Sequence, residues 1–231
     1  MLIGHYAPAL VLQRARPTLK LWQLFLATQF VDVLWGIFIL TGIEHARIVP
    51  GFTESNDLDL WDIPYTHGLI ANVAWALLTF LVWRTFSKAP TRTCDATIMA
   101  LAVASHFAGD YLVHVPDLPI LEAQGPKLGL GLWRYRPLAL ITETALFAGA
   151  SALWWLPRAQ QPGSKPVALW LLGMTAFAAL SFFIPTPPTP AAMAASGLAL
   201  YAACAALAAW AERRVSGGAD VGATATTRTR P

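Results

Sequence analysis

Charge is scarce in this chain. Asp, Glu, Lys and Arg make up 13% of its 231 residues, against 56% hydrophobic residues and a mean hydropathy of +0.50. That balance argues against a water-soluble fold and for an integral membrane protein. Cysteine is nearly absent as well. Cys94 and Cys204 fall at the end of one predicted span and inside another, so no disulfide framework is indicated. A cleavable leader is also missing from the pattern: the apolar run from Leu2 to Leu12 is followed, not preceded, by Arg14, Arg16 and Lys20, and no small-residue cleavage site closes it. The net charge of +3 calls for no nucleic-acid partner, because basic loops are expected of a bacterial inner-membrane protein. No internal repeat is visible.

What the chain does have is apolar windows long enough to cross a bilayer, which takes about 20 residues as a helix. The pattern predicts an all-α integral membrane protein with about six transmembrane helices, near 20–41, 66–84, 95–114, 137–156, 166–184 and 191–211. An N-terminal half-helix or interfacial segment occupies 1–19, a four-helix membrane core 20–157, a transmembrane hairpin 158–214 and a disordered tail 215–231. Basic residues gather in 1–20, 84–95, 157–165 and 213–214, whereas the 42–65 loop carries Glu44, Glu54, Asp57, Asp59 and Asp62 against Arg47 alone. The positive-inside rule then puts both termini in the cytoplasm. Tryptophans 22, 61, 83, 133, 154, 155, 170 and 210 cluster near span ends and read as interfacial anchors. Glu44, His45, Asp57, Asp59 and Asp62 read as solvated loop residues.

Against this background a few ionisable residues stand inside apolar spans. At about 1.5 Å of rise per residue, Asp32, His106, Glu143 and Asp110 lie roughly 15, 12, 9 and 6 Å in from the outer ends of their helices. His67 opens the second span on the same side. An isolated charge at mid-membrane costs about 2.5–3.5 kcal/mol on insertion scales, so such groups pair with one another or with an ion. His106 and Asp110, four apart, share one helix face and can share one ion, as can Asp110 and His114. By axial rise alone His106 and His114 are about 12 Å apart, too far for a single ion, which leaves His114 and Asp117 as supporting or substrate residues. His5 joins the group if the N-terminal segment enters the membrane as a half-helix. Mixed carboxylate and imidazole ligands suit a divalent metal, zinc first, with manganese or iron as alternatives.

The pieces GHYAPAL, QFVDVLWG, PYTHGL, SHFAGDYLVHVPDLP and KLGLGLW together resemble a group of uncharacterised bacterial multispanning membrane proteins. More distantly, they look like the membrane-bound metal-dependent hydrolases compared with zinc phospholipase C. The resemblance covers residues 1–157 and leaves out the last two spans. It implies His5, Asp32, His67, His106 and Asp110 as metal ligands. The function expected on this reading is hydrolysis of a lipid-borne ester or phosphoester within the bilayer, with Glu143 or Asp110 taking the proton from water. Two other classes compete: an ion- or proton-coupled transporter using the same acids and histidines, and a structural factor whose polar core only fixes helix packing.

Overall fold

The computed structural model of the protein describes residues 1–225. A 3₁₀ turn, Gly4–Tyr6, leads into α1 (Ala7–Ala15), whose Pro8 stands in the first turn, where a missing N–H costs nothing. α2 (Leu21–Thr28) and α3 (Phe30–Thr41) are two helices that meet at Gln29 with a bend of 53°. α4 (Leu69–Phe86) and α5 (Arg92–Val113) form an antiparallel pair, followed by α6 (Arg136–Trp155), α7 (Ser164–Leu180) and α8 (Pro190–Ala225). Two short antiparallel hairpins, β1 (His45–Ile48) with β2 (Leu58–Asp62) and β3 (Leu118–Pro119) with β4 (Lys127–Leu128), lie in the connections. Among the described residues, five helices are long and apolar enough to cross a membrane, or six if the bent pair counts as one span. Helices satisfy their own backbone, which is why apolar sequence in lipid takes this form.

α8 continues to Ala225, so helix runs into the stretch read as a tail from 215. Residues 226–231 of that tail lie outside the described residues.

The N-terminal segment is threaded into the bundle. α1 packs against α2, α5 and α6, and Ile3, Tyr6 and Leu10 are all at 1% exposure or less. Tyr6 stacks on Phe25 with ring centroids 4.4 Å apart. A short helix that is apolar on all sides is stable only where neighbours cover every face. α4 is the reverse case: it packs on α5 and leaves Ile70, Val73, Leu77 and Leu81 at least half exposed, a face suited to lipid.

The two ends of the bundle differ in chemistry. At one end Arg16 Nε lies 2.6 Å from Asp95 Oδ1, Arg158 Nη2 donates to Gln13 Oε1 at 3.1 Å, and the Leu21 amide reaches Glu212 Oε2 at 3.2 Å. The basic regions therefore share one end. Trp154, read as an interfacial anchor, is instead 1% exposed, because its indole N–H donates to the buried Gln13 Oε1 at 2.6 Å. The hairpins share the other end, tied together by Lys127 Nζ donating to the Trp61 carbonyl at 3.0 Å and the Ser55 amide donating to the Trp133 carbonyl at 3.2 Å.

Candidate metal centre

Four of the five histidines in the chain meet in one buried cluster at the hairpin end. His5 comes from the N-terminal 3₁₀ turn, His67 from the loop before α4, His106 from α5 and His114 from the residue that ends α5. Asp110, 2% exposed, is their common partner. Its Oδ1 lies 3.0 Å from His5 Nε2, 3.4 Å from His114 Nε2 and 2.9 Å from the Met1 amine. Its Oδ2 lies 3.0 Å from His106 Nε2 and 3.6 Å from His67 Nε2. Asp32 adds a second carboxylate, with Oδ1 at 3.3 Å from His67 Nε2 and 3.5 Å from His106 Nε2.

The outer nitrogens of three rings are each engaged. His106 Nδ1 faces the Thr28 carbonyl at 2.8 Å, and a carbonyl only accepts, so the ring proton sits on Nδ1. The Thr66 hydroxyl gives its hydrogen to Glu44 Oε2 at 2.6 Å, so its oxygen accepts from His67 Nδ1 at 2.8 Å. His114 Nδ1 donates to Asp117 Oδ1 at 2.9 Å. In the neutral tautomer, each of the three Nε2 atoms is then a lone pair aimed at a carboxylate oxygen. Acceptor against acceptor is repulsive. His106 Nε2 and Asp110 Oδ2 are in fact both buried without a hydrogen-bond partner although they face each other.

This pattern, Nδ1 tied to a carbonyl, hydroxyl or carboxylate and Nε2 turned inward, is how metal-binding histidines are usually oriented. Two ligand sets have their atoms within 4.8 Å of one another: His5, Asp32 and His106, and His67, His106 and Asp110. They share His106, which has one nitrogen to offer, so the two are alternatives and only one can hold an ion at a time. Protonation could also relieve the repulsion. It would crowd cationic rings together, however, with His67 and His106 centroids 5.5 Å apart and His5 stacked on His106 at 3.9 Å.

The expected site residues thus fall into place unequally. His106 stands with His5 and Asp32 in one candidate ligand set and with His67 and Asp110 in the other. His114 Nε2 lies 3.4 Å from Asp110 Oδ1, as the four-residue spacing suggests, and stands in neither ligand set with His106. Asp117 orients His114. Glu143, 2% exposed, accepts the Leu2 and Gly4 amides through Oε1 at 2.8 and 3.1 Å, which moors the N-terminal segment that carries His5.

Two participants were not visible as such in the sequence. Glu44, expected to be solvated, is 1% exposed, because its carboxylate accepts the Tyr65 and Thr66 amides at 2.8 and 2.9 Å as well as the Thr66 hydroxyl. Burial pushes its pKa up, and these donors oppose the shift. Asp59 of the same loop is also buried, at 8%, against Arg47. Tyr201 of α8, outside the stretch of resemblance, donates its hydroxyl to Asp32 Oδ2 at 3.0 Å. The only advance signal for it was a lone tyrosine in an otherwise apolar span.

Removing an outer partner should loosen the centre without unfolding the chain. Thr66→Val is expected to weaken divalent-ion affinity about 10- to 100-fold by freeing the His67 ring, with full loading recovered at saturating ion. Titration with a competing chelator checks this; unchanged affinity would remove Thr66 from the account.

The centre is roofed by the turn 129–131. The Leu130 and Gly131 amides bond the Tyr111 and His114 carbonyls at 2.8 and 2.6 Å, and Trp133 lies 4.2 Å from the His114 ring. Gly129 has φ +144°, and a Cβ there would collide with the Val115 and His114 carbonyl oxygens. Gly129→Ala is therefore expected to lower the thermal midpoint by several degrees, since a non-glycine residue held in such a region costs about 1–3 kcal/mol before any clash. Gly149→Ala, with open space around its Cβ, should leave the midpoint unchanged in the same assay.

A cavity of about 500 Å³ opens onto the cluster. Asp32, His67, Asp110, His114 and Glu143 line its inner part; Trp35, Trp133, Phe177, Phe182, Ile184, Met193 and Leu200 line its walls. The last two helices therefore complete the site. Comparisons of the chain with protein-family models, with curated proteins and with solved structures each return no match.

Proposed function

We propose that the protein is a membrane-embedded, metal-dependent hydrolase acting on a lipid-borne ester or phosphoester. One observation carries the reading: the Nε2 lone pairs of His67 and His106 converge on buried Asp110, with Asp32 Oδ1 beside both, a donor set that suits a single divalent cation. Zinc fits this donor set best, with manganese and iron as alternatives. The resemblance carried by GHYAPAL, PYTHGL and SHFAGDYLVHVPDLP points the same way. When bound, such an ion acidifies water and polarises the scissile bond.

The residues divide the remaining work. Asp110 is surrounded by the Met1 amine and four histidines, which suits a ligand and counter-charge. Glu143 is anchored through Oε1 and has no hydrogen bond to Oε2 among the described residues, yet it lines the cavity. It is the better proton acceptor of the two. The centre lies opposite the basic end of the bundle. On the positive-inside rule the centre faces the outer leaflet of a bacterial inner membrane and the basic end faces the cytoplasm; Met1 itself stands in the centre, its amine 2.9 Å from Asp110, and not in the cytoplasm as the loop charges alone suggest.

The buried half-helix and the bent α2–α3 pair are also devices of ion-coupled transporters, which keeps that second reading in play. Beneath the centre, however, Tyr6, Leu10, Leu24 and Phe25 are packed at 1% exposure or less, which weighs toward the hydrolase. Proteoliposomes separate the two readings. Cleavage of an ester-bearing lipid that stops with a chelator and resumes with zinc is the expected result. Proton or cation flux dependent on Asp110 without any cleavage would replace the hydrolase with the transporter.

A further inference from the structure

We propose that the site selects an uncharged acyl ester, a glyceride-like or wax-like lipid, over a phosphodiester lipid. This rests on the hydrolase reading above and narrows it. The first ground is charge. The cavity lining includes three carboxylates, Asp32, Asp110 and Glu143, and no lysine or arginine. Its one cationic group is the Met1 amine, which is already held by Asp110 at 2.9 Å. With one divalent ion bound, the three carboxylates still outweigh the ion by one negative charge. No positive charge remains for a phosphodiester, and guanidinium or ammonium groups are the usual means of holding one. Of the arginines at the hairpin end, Arg47 pairs with Asp59 and the Arg136 guanidinium bonds the Glu54 carbonyl, and Arg134, next to Trp133, is not among the residues that line the cavity. An anionic headgroup would instead lie against Glu143.

The second ground is the wall. Beyond the polar floor, Trp35, Phe177, Phe182, Ile184, Met193 and Leu200 make a surface for acyl chain, and it ends at the outer ends of α7 and α8. Exposed Leu180, Phe183 and Ile184 continue that surface toward lipid. An ester carbonyl can reach the centre from this side with its chain still in an apolar environment.

The reaction balances without a further reactant. A water oxygen bonds to the ester carbonyl carbon and its proton passes to Glu143. The bond from carbonyl carbon to alkoxy oxygen then breaks, and the leaving alcohol takes the proton back. The products are a fatty acid and an alcohol.

The test uses the full chain, zinc-loaded, in vesicles containing equal amounts of a diacylglycerol, a long-chain alkyl ester, phosphatidylcholine and phosphatidylglycerol, with all products quantified. Native mass spectrometry with monoacylglycerol and lysophosphatidylglycerol gives a binding readout independent of turnover. Fatty acid released from the neutral esters at least ten times faster than any phosphodiester is cleaved, with monoacylglycerol binding preferred, is the expected result. Ser181→Lys, which adds a cation to the wall, should shrink that preference. Release of phosphocholine or phosphoglycerol at an equal or higher rate would overturn the inference and leave the hydrolase intact. Zinc-loaded protein that cleaves neither class would overturn the hydrolase reading, and this inference with it.

Discussion

Replacing Asp110 by alanine should destabilise the protein more than any other single change in the cluster. Its carboxylate is the contact shared by four imidazoles and the Met1 amine, at 2.9 to 3.6 Å. Removing one partner of a buried ionic group leaves the others uncompensated and costs about 3–5 kcal/mol. For a chain of this size that corresponds to roughly 10 °C or more in thermal midpoint. The effect should be largest in ion-free protein, where only the carboxylates balance any charge on the rings. Asp110→Asn, which keeps the volume, separates charge from packing: it should lose most of the same stability and nearly all ion binding. A midpoint within a degree of the parent for both variants would mean that the cluster is neutral and merely packed.

His106→Ala should have the second largest effect, this time on the ion rather than the fold. His106 belongs to both ligand sets, and its ring is oriented by the Thr28 carbonyl at 2.8 Å. After dialysis against chelator-treated buffer, the variant is expected to retain less than a tenth of the ion bound by the parent. His5→Ala should lose less, because His5 belongs to one of the two sets. Equal losses in both would indicate that the set containing His5 is the working one. Neither variant should reach the Asp110→Ala loss of stability, since each removes a base rather than the shared counter-charge.

The spans and the heart of the site were legible in the sequence for the same reason. In lipid, apolar length marks a helix, and any ionisable residue within one stands out against it. That contrast picked out Asp32, His106 and Asp110, and the four-residue spacing correctly paired the last two on one face. What could not be read depended on long-range contacts. The break at Gln29 has no proline or glycine of its own. It coincides with the Gln29 side chain donating to the Leu2 carbonyl at 3.0 Å and the Thr28 carbonyl serving His106. Glu44 looked like one more acid in an acidic loop, and only the folding of that loop over Thr66 buries it. Tyr201 lies 169 positions from the aspartate it holds.

The account stands most directly on the ion content of the purified protein. Extracted in mild detergent without chelators, the monodisperse chain should carry close to one zinc, manganese or iron per polypeptide by elemental analysis. X-ray absorption should show nitrogen and oxygen ligands at about 2.0–2.2 Å, with imidazole among them. A folded chain that binds none of these ions even when saturated with them would contradict the central claim, leaving Asp32, Asp110 and the four histidines as a proton-bearing or purely structural cluster.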